Sequence, residues 1–197
     1  MLKIGLTGGI GSGKTTVAKI FTSFRIPVYY ADQEARLLME SSEELIQSVK
    51  SHFGNESYIG AELNRKFLAS IVFNDETKLR KLNQLAHPVV HHHFEAWVAN
   101  QHDVPYIVEE AALLFESGAW KYFDFIVLVT APESLRIERV MKRDGVTMDE
   151  VQNRIKTQMP ENEKIPLAHF LIFNDNQSLV LNQVLAFHEK LISLNKK

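Results

Sequence analysis

Near the N-terminus the hydrophobic pattern changes its period. Leu2-Lys3-Ile4-Gly5-Leu6-Thr7 is short and apolar enough for a buried strand, whereas Val17, Ile20, Phe21 and Phe24 recur at helical spacing. Ile26-Pro27-Val28-Tyr29-Tyr30 predicts a second strand, with Pro27 at its beginning or edge. From Asp32 to about residue 101 the spacing is helical throughout: Ala35, Leu38 and Met39; Leu45, Ile46 and Val49; Leu68, Ile71 and Val72; Leu79, Leu82 and Leu85. So long a helical stretch between two strands exceeds an ordinary crossover and predicts an inserted helical subdomain. Tyr106-Ile107-Val108 predicts a third strand, closed by Glu109 and Glu110. Residues 123–129 predict a fourth, after which Ala131-Pro132-Glu133 opens a helix, and Phe170-Leu171-Ile172-Phe173 predicts a fifth. A last helix over 178–194 carries Leu181, Val184, Leu185, His188, Leu191 and Ile192. Strands alternating with helices imply an α/β fold, a five-stranded, mostly parallel sheet flanked by helices, with ligands at the C-terminal ends of its strands.

The break between the first strand and helix carries chemistry. Gly8 to Thr15 reads G-G-I-G-S-G-K-T, a full match to G-x-x-x-x-G-K-[ST] in the strand-loop-helix setting that gives the motif meaning. A polyphosphate needs many donors with no side chains in the way. Glycines let backbone N–H groups curl into a concave anion site at a helix N-terminus. Lys14 adds a charge that reaches the β- and γ-phosphates, and the Thr15 hydroxyl is placed to ligate Mg²⁺.

Composition narrows the class. A chain of 197 residues, 45% hydrophobic, with a net charge of −2 has the makings of one compact unit with a subdomain inserted, and shows no basic excess that would mark a duplex nucleic-acid binder. Without cysteine it has no disulfide frame or thiolate metal site. The apolar runs are too short to span a bilayer and no basic leader precedes the first strand, so the cytoplasm is the expected compartment.

Several side chains could select an acceptor. Asp32 follows the second strand, on the sheet edge that bears the loop; it suits either a carboxylate that takes the proton of an attacking hydroxyl or the N-cap of the next helix. His87-Pro88 predicts a helix start with the imidazole exposed, or a capping or packing histidine. His87 and His91 have the spacing of two metal ligands on one helical face, but no third ligand groups with them or with His92 and His93. Arg136, Arg139 and Arg143 form a basic stripe, extended by Arg154, Lys156 and Lys164, that reads as a mobile lid over the transferring phosphoryl or as a solvated face. Glu109-Glu110 suits the acidic end of a strand that assists Mg²⁺ through water, or a pair of ordinary strand-end charges, and Trp97 and Trp120 suit packing more than base stacking.

In combination these segments resemble the dephospho-CoA kinases, over residues 4–176. The resemblance rests on L-T-G-G-I-G-S-G-K-T-T at 6–16, A-D-Q-E-A-R at 31–36, L-A-H-P at 85–88, L-L-F-E at 113–116, K-R-D-G-V-T at 142–147 and R-I-K-T-Q-M-P at 154–160. It implies a P-loop kinase that moves the γ-phosphoryl of ATP to the ribose 3′-hydroxyl of dephospho-CoA, the last step of coenzyme A synthesis, with Mg²⁺ as cofactor. Gly8, Gly9, Gly11, Ser12, Gly13, Lys14, Thr15 and Thr16 would hold the ATP phosphates and the metal, with Asn174 near the adenine. Asp32 would be the catalytic carboxylate, Arg36, His87 and Leu113 would face the acceptor, and Arg139 and Arg143 would belong to the lid. The implied division is a core of 1–31, 106–138 and 166–197, an acceptor-binding subdomain of 32–105 and a lid of 139–165, in a chain expected to act as a monomer, a homo-oligomer being the alternative. Three positions depart from the family pattern: Tyr30 and Phe173 stand where aspartates are usual, and Ala112 stands for a proline. None removes a group that phosphoryl transfer requires. A nucleoside or nucleotide kinase is the nearest rival; a GTPase switch would need an Asn-Lys-x-Asp segment that is absent.

Overall fold

The computed structural model describes residues 1–72 and 75–194. The parts of the expected subdomain and C-terminal core that fall on 73–74 and 195–197 lie outside the described residues. Contacts divide the chain into two compact units, residues 1–30 with 101–197, and residues 31–100.

The first unit is built on a five-stranded parallel sheet of β1 (Leu2–Thr7), β2 (Val28–Tyr30), β5 (Tyr106–Glu110), β6 (Phe125–Thr130) and β7 (Phe170–Phe173), in the order β2-β5-β1-β6-β7. β1, at the centre, pairs with β5 from Leu2↔Tyr106 to Leu6↔Glu110 and with β6 from Ile4↔Phe125 to Thr7↔Leu128. Strands covered on both faces are apolar almost throughout. Ile4, Leu6, Tyr106, Val108, Val127, Val129 and Ile172 pack against Val17, Ala18 and Phe21 of α1 (Lys14–Ser23) and Val184, Phe187 and Leu191 of α9 (Val180–Leu194). Each large side chain buried there contributes about 1.5–3 kcal/mol. The Tyr106 hydroxyl meets His188 Nδ1 at 2.6 Å, so the polar tip of a fully buried ring is satisfied.

Glu109 and Glu110 lie within β5, not beyond it as the pattern suggested, and both are buried. Their pairing with Tyr29, Tyr30, Gly5 and Leu6 extends the ladder through them, since backbone hydrogen bonds outweigh the low strand propensity of glutamate. α6 (Glu133–Asp144) and α7 (Met148–Lys156) follow β6. They share a small core of Ile137, Val140 and Val151, against which Ile10 of the glycine loop packs. Thr147 and Glu150 form a reciprocal capping box at the start of α7. α8 (Glu161–Lys164) leads back to β7.

The second unit contains α2 (Ala31–Ser41), α3 (Glu43–Phe53), α4 (Arg65–Val72) and α5 (Glu76–Ala99) around Leu45, Val49, Tyr58, Leu68 and Ala86. It also holds a short antiparallel hairpin, β3 (Tyr58–Ile59) with β4 (Glu62–Leu63), where only helix was expected. Strands of two residues carry no readable period. The Tyr58 hydroxyl donates to the Met39 carbonyl at 2.8 Å and ties the hairpin to α2.

His87-Pro88 does not start a helix. Both residues lie inside the 24-residue α5, which begins at the Asp75 cap, whose carboxylate accepts from the N–H groups of Thr77 and Lys78. An interior proline costs a helix about 3 kcal/mol. Leu82, Leu85, Ala86 and Val89 pack on the unit's core before and after it and hold the helix together. Among the described residues no helix is long and apolar enough to cross a membrane.

Candidate active site

The glycine loop leaves β1 at Thr7 and enters α1 through Gly13, whose φ of 96° puts it in the left-handed region. Among the described residues no side chain caps α1, so its amide end remains for an anion. Gly11, at φ 78°, lies so close to α6 that a Cβ there would run into the Arg136 carbonyl oxygen. Ser12 is fully buried, and its hydroxyl has no hydrogen-bond partner among the described residues. Lys14 is half-buried, while Thr15 and Thr16 are exposed on the first turn of α1.

Two expected residues converge on this loop. The Asn174 amide donates to the Ser12 carbonyl at 2.8 Å and lies where a Cβ on Gly13 would fall. Its backbone N–H donates to Thr130 O at 2.8 Å, which fixes the turn after β7 to the end of β6. Arg139 Nη2 donates to Asn174 O at 2.9 Å and to Asn176 Oδ1 at 2.7 Å, and Nη1 reaches Gly11 O at 3.5 Å.

Arg143, by contrast, is not brought to the loop. It is bonded to Asp144 at 2.7 and 3.0 Å, and Asp144 also accepts from Arg154 at 2.9 Å. The Arg143 hydrogen bond holds the Asp144 carboxyl below the usual carboxylate range. The arginine stripe is thus split: its last member faces solvent, while its first, Arg136, is only 6% exposed.

Arg136 lies behind the loop, with Nη1 where a Cβ on Gly9 would be, 3.6 Å from Glu161 and, through Nη2, 3.7 Å from Glu133. Thr130 Oγ1 donates a short hydrogen bond to Glu161. Burial pushes the Glu161 carboxyl up, against the pull of Arg136 and Lys164. Lys164, 1% exposed, pairs with Glu116 at 2.9 Å, and Glu116 also accepts from the Met159 N–H at 2.8 Å. Apart from Glu133, three residues before Arg136, these partners are 25 or more residues apart in sequence, so nothing local signalled their pairing. A cavity of about 410 Å³ opens between the ends of β6 and β7; Pro132, Arg136, Glu161, Phe173 and Asp175 are among the residues lining it. Leu113 is half-buried in the turn after β5, next to Ala112, whose carbonyl accepts from Thr7 Oγ1 at 3.5 Å.

In the second unit Asp32 is exposed in the first turn of α2, inside the helix and not at its N-cap. Arg36, four residues on, shares its face and is also exposed. His87 is exposed on α5, yet partial desolvation of its ring holds the pKa below the ordinary imidazole value. His93 Nδ1 is 3.9 Å from Glu34. Among the described residues no three His, Asp or Glu side chains converge as a metal site.

The sequence profile of the dephospho-CoA kinases matches residues 2–179. A dephospho-CoA kinase of Bacteroides fragilis is 35% identical over 184 residues, covering 93% of this chain and 90% of that one. Another, from Parasynechococcus marenigrum, is 40% identical over 172 residues and covers 87% of each. Among solved structures, TT1252 from Thermus thermophilus superposes with a TM-score of 0.82 at 34% identity over 96% of both chains. Dephospho-CoA kinase from Campylobacter jejuni shares the fold, with a TM-score of 0.68 at 24% identity over 99% of this chain and 98% of that one. With a glycine loop braced by Asn174 and Arg139 at the centre of a parallel sheet, and a family match over nearly its whole length, the chain belongs to the dephospho-CoA kinase family.

Proposed function

We propose that this chain transfers the γ-phosphoryl of ATP to the ribose 3′-hydroxyl of dephospho-CoA, giving coenzyme A and ADP, the final step of coenzyme A synthesis. The observation that carries the reading is the uncapped, glycine-lined end of α1 within a chain matched by the family over residues 2–179. The transition state of such a transfer is loose, so the protein's work is to align the reactants and neutralise spread charge. The loop amides and Lys14 bind the ATP phosphates. The exposed Thr15 hydroxyl, at the start of α1, suits a hard cation and would hold Mg²⁺, which when bound neutralises charge on the phosphates. Asp32 orients the 3′-hydroxyl and takes its proton as the new O–P bond forms and the bond to the ADP oxygen breaks. Arg139 offers guanidinium donors beside Gly11, and Arg143 would have to leave Asp144 to join it. The helices of 31–100, with Arg36 and His87, receive the acceptor, and Leu113 adds an apolar contact to it. Residues 139–165 act as the lid. In this reading the enzyme works in the cytoplasm as a single copy, with no nucleic-acid partner.

The test is incubation with Mg²⁺-ATP and, separately, dephospho-CoA, AMP, CMP or uridine, following ADP release and acceptor mass. A gain of one phosphoryl group confined to dephospho-CoA is expected. A gain on a nucleoside or nucleotide instead would overturn the acceptor and keep the chemistry.

A further inference from the structure

One buried cation plays no part in the reaction as derived. Arg136 has 6% of its surface exposed, and among the described residues its Nε has no hydrogen-bond partner, while Nη1 and Nη2 face Glu161 and Glu133. Both terminal nitrogens of this guanidinium thus already face protein carboxylates. What it touches is the phosphate loop from behind: its head group fills the space beside Gly9 and its backbone closes on Gly11.

The same stretch of loop is gripped from the segment that follows α7. Gln158 Oε1 accepts from the Ile10 N–H at 2.9 Å, and the Ile10 side chain packs into the core shared by α6 and α7. Three residues past Gln158, Glu161 meets Arg136 and Thr130, and Lys164 and the Met159 N–H both bind Glu116. Residues 158–164 therefore form a strap fastened at four places, and the Arg136–Glu161 pair is where it meets the loop's support.

We propose that Arg136 is a positioning residue for ATP: paired with Glu161, it holds the Gly9–Gly11 backbone in the shape that receives the phosphates, without contacting them. Charge alone would not need this arrangement, because two carboxylates already offset the arginine. Replacing a buried ion pair by apolar groups of similar volume is often tolerated by the fold, so stability alone does not explain its place behind the loop. Small displacements of a binding backbone are costly to binding and rate, which gives the brace its function. The inference rests on the reading that the loop binds ATP, but not on the identity of the acceptor.

The test compares wild-type enzyme with R136M, R136K, E161Q and the double variant R136M/E161L, measuring ATP dissociation directly and KM for ATP and for dephospho-CoA separately. R136M and E161Q are expected to weaken ATP binding and raise its KM on the order of tenfold, with KM for dephospho-CoA within about twofold, R136K recovering part of the loss. The double variant, free of an unpaired buried charge, should fold and still bind ATP weakly. An ATP dissociation constant within about twofold of wild type in folded R136M or the double variant would overturn the proposal, as would equal rises in both KM values. If R136M does not fold, E161Q and the double variant decide. Failure of wild-type enzyme to phosphorylate dephospho-CoA would instead count against the acceptor assignment, and the ATP dissociation constants would still decide the role of Arg136.

Discussion

Asp32→Asn keeps the size and polarity of the side chain and removes its ability to take a proton. Because the residue is exposed in the first turn of α2, the change should leave the fold intact. Transfer to dephospho-CoA should fall on the order of 10²-fold or more, with ATP affinity nearly unchanged. Single-turnover rates alongside ATP titration check this, and near-normal turnover would remove Asp32 from the mechanism. His87 carries a pH dependence of defined sign. Its folded pKa lies below its ordinary value of 6.5, so the folded state prefers the neutral ring. The group's contribution to stability is complete above pH 6.5 and is lost as pH falls through the lowered value. His87→Asn should flatten that part of the stability profile, and urea midpoints above and below pH 6.5 will show whether it does. At this scale the glycine loop was legible because its shape has local reasons: Gly11 and Gly13 take positive φ, and Lys14 opens α1 directly after them. Arg136 was not, because its partner Glu161 is 25 residues away and a stripe of arginines reads as a solvated face until the neighbouring chain is seen.

Among the elements, α7 depends most visibly on its first residues. The Thr147 hydroxyl accepts from the Glu150 N–H while Glu150 accepts from the Thr147 N–H at 2.8 Å. Thr147→Ala should destabilise the protein by about 1 kcal/mol, read as a lower urea midpoint with unchanged slope. The strands and long helices follow from period and apolar content, and β7 falls where the pattern put it. Three elements show where such reading stops. β3 and β4 are too short to have a period, and their pairing rests on the Tyr58 hydroxyl bond and on packing against α3 and α4. α5 passes through Pro88 because apolar contacts on both sides outweigh one lost hydrogen bond and a ring clash, a balance that a local proline rule does not contain.

For the molecule as a whole, nucleotide binding and stability are linked. ATP at about 100 times its dissociation constant should stabilise the folded protein by about 2.7 kcal/mol, and raise Tm by about 5–10 °C for a chain of this size. Thermal unfolding with and without Mg²⁺-ATP measures this, and no shift at saturating nucleotide would refute the loop as the ATP site. The sequence by itself determined the parallel α/β fold, the reaction class and the glycine turn between β1 and α1, because strand period and glycine spacing are properties of neighbouring residues. Tertiary structure alone decided the sheet order β2-β5-β1-β6-β7, the burial of Glu109 and Glu110, and the separation of Arg136 and Arg139 from Arg143. These depend on which distant groups meet. A buried charge is tolerable only where folding brings its counter-charge to it, and sequence spacing holds no record of that meeting.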